Sequence, residues 1–135
     1  MVMATKIFLA LNALAFIGYG LVCLVQPSVV ADAAGLQVLN ADGSTELRAM
    51  YGGLQTAVGM LALAGLLRVE MRQGVLLVLA FLFFGLASAR ALGVLMDSGV
   101  GSYTWGALVF EIVCVVIATT LFGRGSGEEL SGNVA

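Results

Sequence analysis

The chain reads as an all-α integral membrane protein, a bundle of four spanning helices, and three observations lead to that class. Of 135 residues, 61% are hydrophobic and only 10% charged, where soluble domains carry about a quarter charged residues. The mean hydropathy is +1.07. The few charges gather near the ends of four apolar runs, each close to the roughly 20 residues that a bilayer crossing needs. Four such runs use nearly the whole length, so no separate soluble domain fits. The expected organisation is one membrane domain over residues 1–124, with spans at about 7–25, 45–67, 73–96 and 104–122. A disordered, glycine-rich cytoplasmic tail over residues 125–135 follows.

The first span follows Lys6 and stops at Gln26-Pro27, where proline removes a backbone donor. A basic residue, an apolar run and Ala31-Asp32-Ala33 also stand in the order of a cleaved signal peptide. The run is longer than the usual apolar core of such peptides, so a retained span is expected. Asn12, Phe16, Tyr19 and Cys23 recur at helical spacing and give this span one mildly polar, inward face.

Residues 26–44 form the longest connection. Pro27 to Ala34 suit a short surface helix closed by Gly35, Asp42-Gly43 a turn, and Ser44 an N-cap for span two. Glu46 then lies in that span's first turn, where a carboxylate complements the helix dipole. Arg68, Glu70 and Arg72 bracket a tight turn before span three. There Gly85, Ala89 and Gly93 make a small-xxx-small stripe suited to close helix contact in lipid. After the loop at Asp97-Ser98-Gly99, Tyr103 and Trp105 suit an interfacial aromatic belt, and span four follows.

Lys6, Arg68, Arg72 and Arg124 fall at one set of span ends, and Asp32, Asp42 and Asp97 at the other. The positive-inside rule then puts both termini in the cytoplasm. The net charge of −2 and the lack of a basic cluster exclude nucleic-acid binding. There is no His, and the two Cys are far apart, so neither a metal site of known spacing nor a His-ligated haem is expected. Cys23 and Cys114 sit in apolar runs, where a free Cys acts as a small hydrophobe.

Three charges lie within the spans: Arg48, Arg90 and Glu111. From a rise of 1.5 Å per residue, Arg90 and Glu111 lie about 10 Å from their span ends and Arg48 about 5 Å, all in the outer leaflet. An unpaired charge there costs at least about 2.5 to 3.5 kcal/mol, so each must face inward and find a partner. Glu111 is expected to pair with Arg90, Arg48 or both. Glu46, Tyr51 and Gln55 complete the cluster, and Asn12 and Tyr19 are further lining candidates. Because Glu46, Arg48, Arg90 and Glu111 sum to zero charge, the cluster suits a self-satisfied structural network. The competing reading is an outward pocket that offers guanidinium forks to a carboxylate, sulfonate or quinone head group.

At residues 46–53, E-L-R-A-M-Y-G-G, the chain resembles a widespread bacterial family of small four-helix membrane proteins that carries only a domain of unknown function. The resemblance extends over nearly the whole chain, with support from Gly20-Leu21 to Pro27, Gly59, residues 88–93 (S-A-R-A-L-G) and Glu111. That family is similar in architecture to the DoxX-like group, which includes a small subunit of a thiosulfate:quinone oxidoreductase and helpers of periplasmic enzyme maturation. The resemblance implies a bacterial inner-membrane protein and a four-helix bundle. It also points toward quinone or thiol chemistry, although no close Cys pair is present for disulfide exchange.

The leading functional reading is a non-catalytic membrane protein, a subunit or scaffold or a binder of a lipid-like molecule, without catalytic or metal-binding residues. Its expected partners are membrane lipid and another membrane protein or a second copy. The alternative is a quinone-linked oxidoreductase subunit, in which Arg48, Arg90 and Tyr51 would hold a quinone head group. A proton-coupled exporter using Glu111 ranks below both, because an arginine partner favours the charged carboxylate.

Overall fold

The protein is described from a computed structural model that covers residues 2–132, with side chains described over residues 3–125. Among the described residues every regular element is helical. Four helical stretches are long and apolar enough to cross a membrane: Met3–Val25, Ala41–Leu67, Val69–Met96 and Ser102–Gly125. Three of them start about four residues before the expected boundaries, since a nucleated helix propagates cheaply into flanking polar residues. The chain divides into two compact units, Lys6–Leu67, and Arg68–Ala135 with the first five residues.

The Lys6–Leu67 unit holds most of α1 (Val2–Val25), α2 (Ser28–Ala34), α3 (Ala41–Leu47), a π-helix at Arg48–Gly53, and α4 (Leu54–Leu67). Its organising feature is a glycine seam. A methyl group at Gly59 would lie 2.6 Å from the Ile17 nitrogen and 3.1 Å from the Ala13 carbonyl oxygen, and one at Gly52 would lie 3.0 Å from the Leu24 Cα. At Gly20 a methyl group would collide with Thr56. Gly52, Thr56 and Gly59 thus meet Leu24, Gly20, Ile17 and Ala13, two rows at helical spacing that let backbones touch.

The connection after α1 is closed by local chemistry. Pro27 holds φ at −66° at the start of α2, and Gly35 ends it in the left-handed region at φ 69°. Leu36 N–H then donates to the Ala31 carbonyl at 2.8 Å, the longer-range bond of a Schellman cap. Span two begins earlier than expected. Asn40, not Ser44, is its N-cap, and its side-chain oxygen accepts from Gly43 N–H at 2.9 Å. Asn caps as well as Ser, and capping at Asn40 turns Asp42-Gly43 from a loop into the first helical turn. Asp42 therefore takes the dipole-facing position expected of Glu46.

The unit from Arg68 onward contains a short 3₁₀ turn (Val69–Met71), α5 (Arg72–Met96) and α6 (Ser102–Gly132). Residues 97–101 join the two long helices, with Gly99 at φ 79°, and so short a connection makes an antiparallel pair. The buried side chains of α5 are Val75, Leu76, Leu79, Ala80, Phe83 and Ala87. Those of α6 include Leu108, Cys114, Ala118 and Leu121. The Phe83 and Phe110 rings meet edge to face at 5.8 Å, a favoured aromatic geometry. At the far end of the pair the Gln73 side-chain amide lies over Gly125.

The small-residue stripe of α5 does not make the close contact expected of it. A methyl group at Gly85 or Gly93 would meet nothing within 4 Å, and Ala89 is exposed. The buried residues of α5 do not include the stripe, which lies on an open face. Of the tail expected over residues 125–135, the backbone is described as far as Gly132, where it continues α6 as helix, and residues 133–135 lie outside the described residues.

Candidate functional site

The polar residues within the apolar helices form two arrangements, one in each unit. In the Arg68-onward unit, α5 brings Arg90 and α6 brings Glu111 into a fork. Arg90 Nε donates to Glu111 Oε1 at 3.1 Å and Oε2 at 3.0 Å, and Arg90 Nη2 donates to Oε1 at 2.9 Å. Both carboxylate oxygens are engaged. The Glu111 side chain is only 5% exposed and that of Arg90 25%, so the guanidinium shields the carboxylate and keeps one edge toward the surface. This planar two-point match is what Arg supplies and Lys cannot. Removed from water, such a pair is tolerable only when its lone pairs are met, as Glu111's are here.

In the Lys6–Leu67 unit Arg48 has a different task. Its Nε donates to the Leu24 carbonyl at 3.1 Å and its Nη1 to the Ser44 hydroxyl oxygen at 2.6 Å. Leu24 lies in the last turn of α1, where four carbonyls have no helical donor. Arg48 therefore caps α1 from the neighbouring span and puts a cation at the negative end of its dipole. Ser44, one turn before Arg48, holds the guanidinium in place. That residue was read from sequence only as an N-cap, although its four-residue spacing from Arg48 carried the signal.

The E-L-R-A-M-Y-G-G stretch coincides with the π-helix. Leu54 N–H donates to the carbonyl of Ala49, five residues back, so the helix is wider here by one residue. The widening has a packing cause. Leu47 and Gly52 are both buried, yet on an α-helix five residues apart they would point about 140° away from each other. The extra residue brings them to one side, with Gly52 against Leu24. Leu47 joins Cys23, Val30 and Ala31 in a cluster on which Tyr51 packs. Thr56 donates its hydroxyl to the Gly52 carbonyl at 2.8 Å, a back-bond typical of apolar helices.

The remaining candidates are placed as follows. Glu46 is exposed. Gln55 is half-buried, and its side-chain oxygen has no hydrogen-bond partner. Asn12 is buried and donates to the Phe8 carbonyl at 2.8 Å, while its own amide oxygen is unmatched. Tyr19 is at the surface and Phe16 and Cys23 are buried, so the expected inward face of α1 is buried at three of its four positions. Cys23 and Cys114 are both free and buried. Among the described residues no group of three or more His, Cys, Asp or Glu could hold a metal ion.

These features define a class, a small all-helical protein with four helices of membrane-crossing length and an ion pair inside one helix pair. The chain belongs to the family of the domain of unknown function DUF4345, whose model matches residues 4–122. The match takes in both polar arrangements and all four apolar helices. No curated protein and no solved structure matches the chain.

Proposed function

We propose that the protein is a non-enzymatic component of a bacterial inner membrane that crosses it four times and acts as a subunit or scaffold. The observation that carries this reading is how the charges within the spans are spent. Glu111 gives both oxygens to Arg90, and Arg48 spends two of its nitrogens on α1 and Ser44. Charges used in this way lock helix pairs together; a transport path or a reaction centre would need a group poised to change partners or protonation.

The test is chemical as well as structural. Protein purified from native membranes in mild detergent should carry only bulk lipid, and Glu111→Ala should not alter which small molecules co-extract. A stoichiometric quinone in the wild type that is lost from the Glu111→Ala and Arg90→Ala variants would overturn the scaffold reading in favour of the quinone-linked subunit that a DoxX-like relationship implies.

A further inference from the structure

The segment between α1 and α3 carries more exposed apolar surface than a water-facing loop should. Leu39 is 86% exposed, and Val29, Leu36 and Val38 are each more than a third exposed. They stand within a run of fifteen residues, 26–40, whose one charge is Asp32. Single exposed apolar residues are ordinary, but four together around one short helix are not.

The depth of this segment is set by what it packs on. The buried face of α2, Val30 and Ala31, sits in one cluster with Cys23 and Leu47, and Tyr51 packs on that cluster. Cys23 lies two residues inside the end of α1, and Leu47 six residues inside the stretch Ala41–Leu67. At 1.5 Å per residue those positions are about 3 Å and 9 Å below the helix ends. α2 is therefore drawn down beside the ends of two apolar helices. Gly35 then ends α2, and residues 36–39 lead from there to the Asn40 cap at the start of the second apolar helix.

We infer that residues 26–40 form a collar embedded in the membrane–water interface, with Val29, Leu36, Val38 and Leu39 seated among the acyl chains nearest the head groups. The inference rests on the membrane reading proposed above. Its occupant is lipid, because the anchoring residues hold the segment at the depth where lipid begins. Insertion is driven by apolar burial alone: the segment has no Lys or Arg, so anionic lipid is not needed to recruit it.

Tryptophan fluorescence in vesicles tests this. Leu39→Trp is made in a Trp105→Phe background, which removes the chain's single tryptophan, and reconstituted in phosphatidylcholine brominated either near the head group or near the chain ends. Phe84→Trp in the same background, at an exposed mid-helix position, reports on the span itself. The expected result is blue-shifted Leu39→Trp emission, shielded from acrylamide and quenched more by shallow than by deep bromines. Phe84→Trp should show the opposite depth preference. Water-like, acrylamide-quenched Leu39→Trp emission beside a bromine-quenched Phe84→Trp would overturn the collar and leave the membrane reading intact. Shielding from both acrylamide and bromine would also overturn it, since protein would then cover the segment. If Phe84→Trp escapes bromine as well, the membrane reading itself fails.

Discussion

Glu111 is a carboxylate whose surroundings make sense only with Arg90 in place. Glu111→Ala leaves a guanidinium three-quarters enclosed without its acceptor, and breaking one half of such a pair typically costs about 3 to 5 kcal/mol. Removing both charges leaves no orphan, so the double variant Glu111→Ala with Arg90→Ala should recover part of the loss. Thermal unfolding in detergent of wild type, both singles and the double measures the coupling; simple additivity would mean the fork contributes nothing as a pair. The glycines offer a second residue-level prediction with an internal control. Gly59→Ala drives a methyl group onto Ile17 backbone and should cost about 1 to 3 kcal/mol through overpacking. Gly85→Ala enters open space and should be neutral or gain up to about 1 kcal/mol from helix propensity. Equal effects at the two sites in the same melting assay would contradict the seam. That Arg90 needs Glu111 can be argued from charge and depth alone. That Gly59 is crowded and Gly85 is not cannot, because both sit in similar small-residue patterns and nothing in those patterns says which face meets another helix.

At the scale of elements, the π-helix is also the stretch with the most recognisable sequence. On a regular helix of 3.6 residues per turn, Arg48, Tyr51, Gly52, Gln55 and Gly59 would share one stripe. In the structure Arg48, Gly52 and Gly59 all meet α1, while Tyr51 packs on the cluster of Cys23, Val30, Ala31 and Leu47 beside α2. Helix existence was legible from hydropathy, whereas the extra residue was not, since nothing in R-A-M-Y-G-G forbids an α-helix. A deletion experiment isolates it. Removing the exposed Met50 brings Leu47 and Gly52 to four-residue spacing, which an α-helix places on one face, so the shortened protein should fold with nearly unchanged melting. Removing the exposed Ala57 instead turns everything before it by about 100° relative to Gly59 and should abolish the seam. Equal damage from the two deletions would show that the π turn is more than an accommodated insertion.

At the scale of the whole molecule the open question is which way the four spans run, and the structure sharpens the charge argument. Counted by sequence alone, Arg48 and Arg90 lie toward the same ends as Asp32, Asp42 and Asp97 and weaken the asymmetry. Arg90 leaves that count because Glu111 neutralises it, whereas Arg48 keeps its charge against the neutral Leu24 carbonyl and Ser44 hydroxyl. Lys6, Arg68, Arg72 and Arg124 at the other set of ends still outnumber it, all flanking spans closely enough for the positive-inside rule to apply. Both termini are therefore expected in the cytoplasm, with Asp42 and Asp97 outside. Introduced cysteines read this out directly, because native Cys23 and Cys114 are buried and make the wild type a low-background control. In intact cells a membrane-impermeant maleimide should label Asp42→Cys and Asp97→Cys, and Leu130→Cys only after permeabilisation. Strong labelling of Leu130→Cys in intact cells, with Asp97→Cys silent, would invert the topology and turn the collar of residues 26–40 toward the cytoplasmic face.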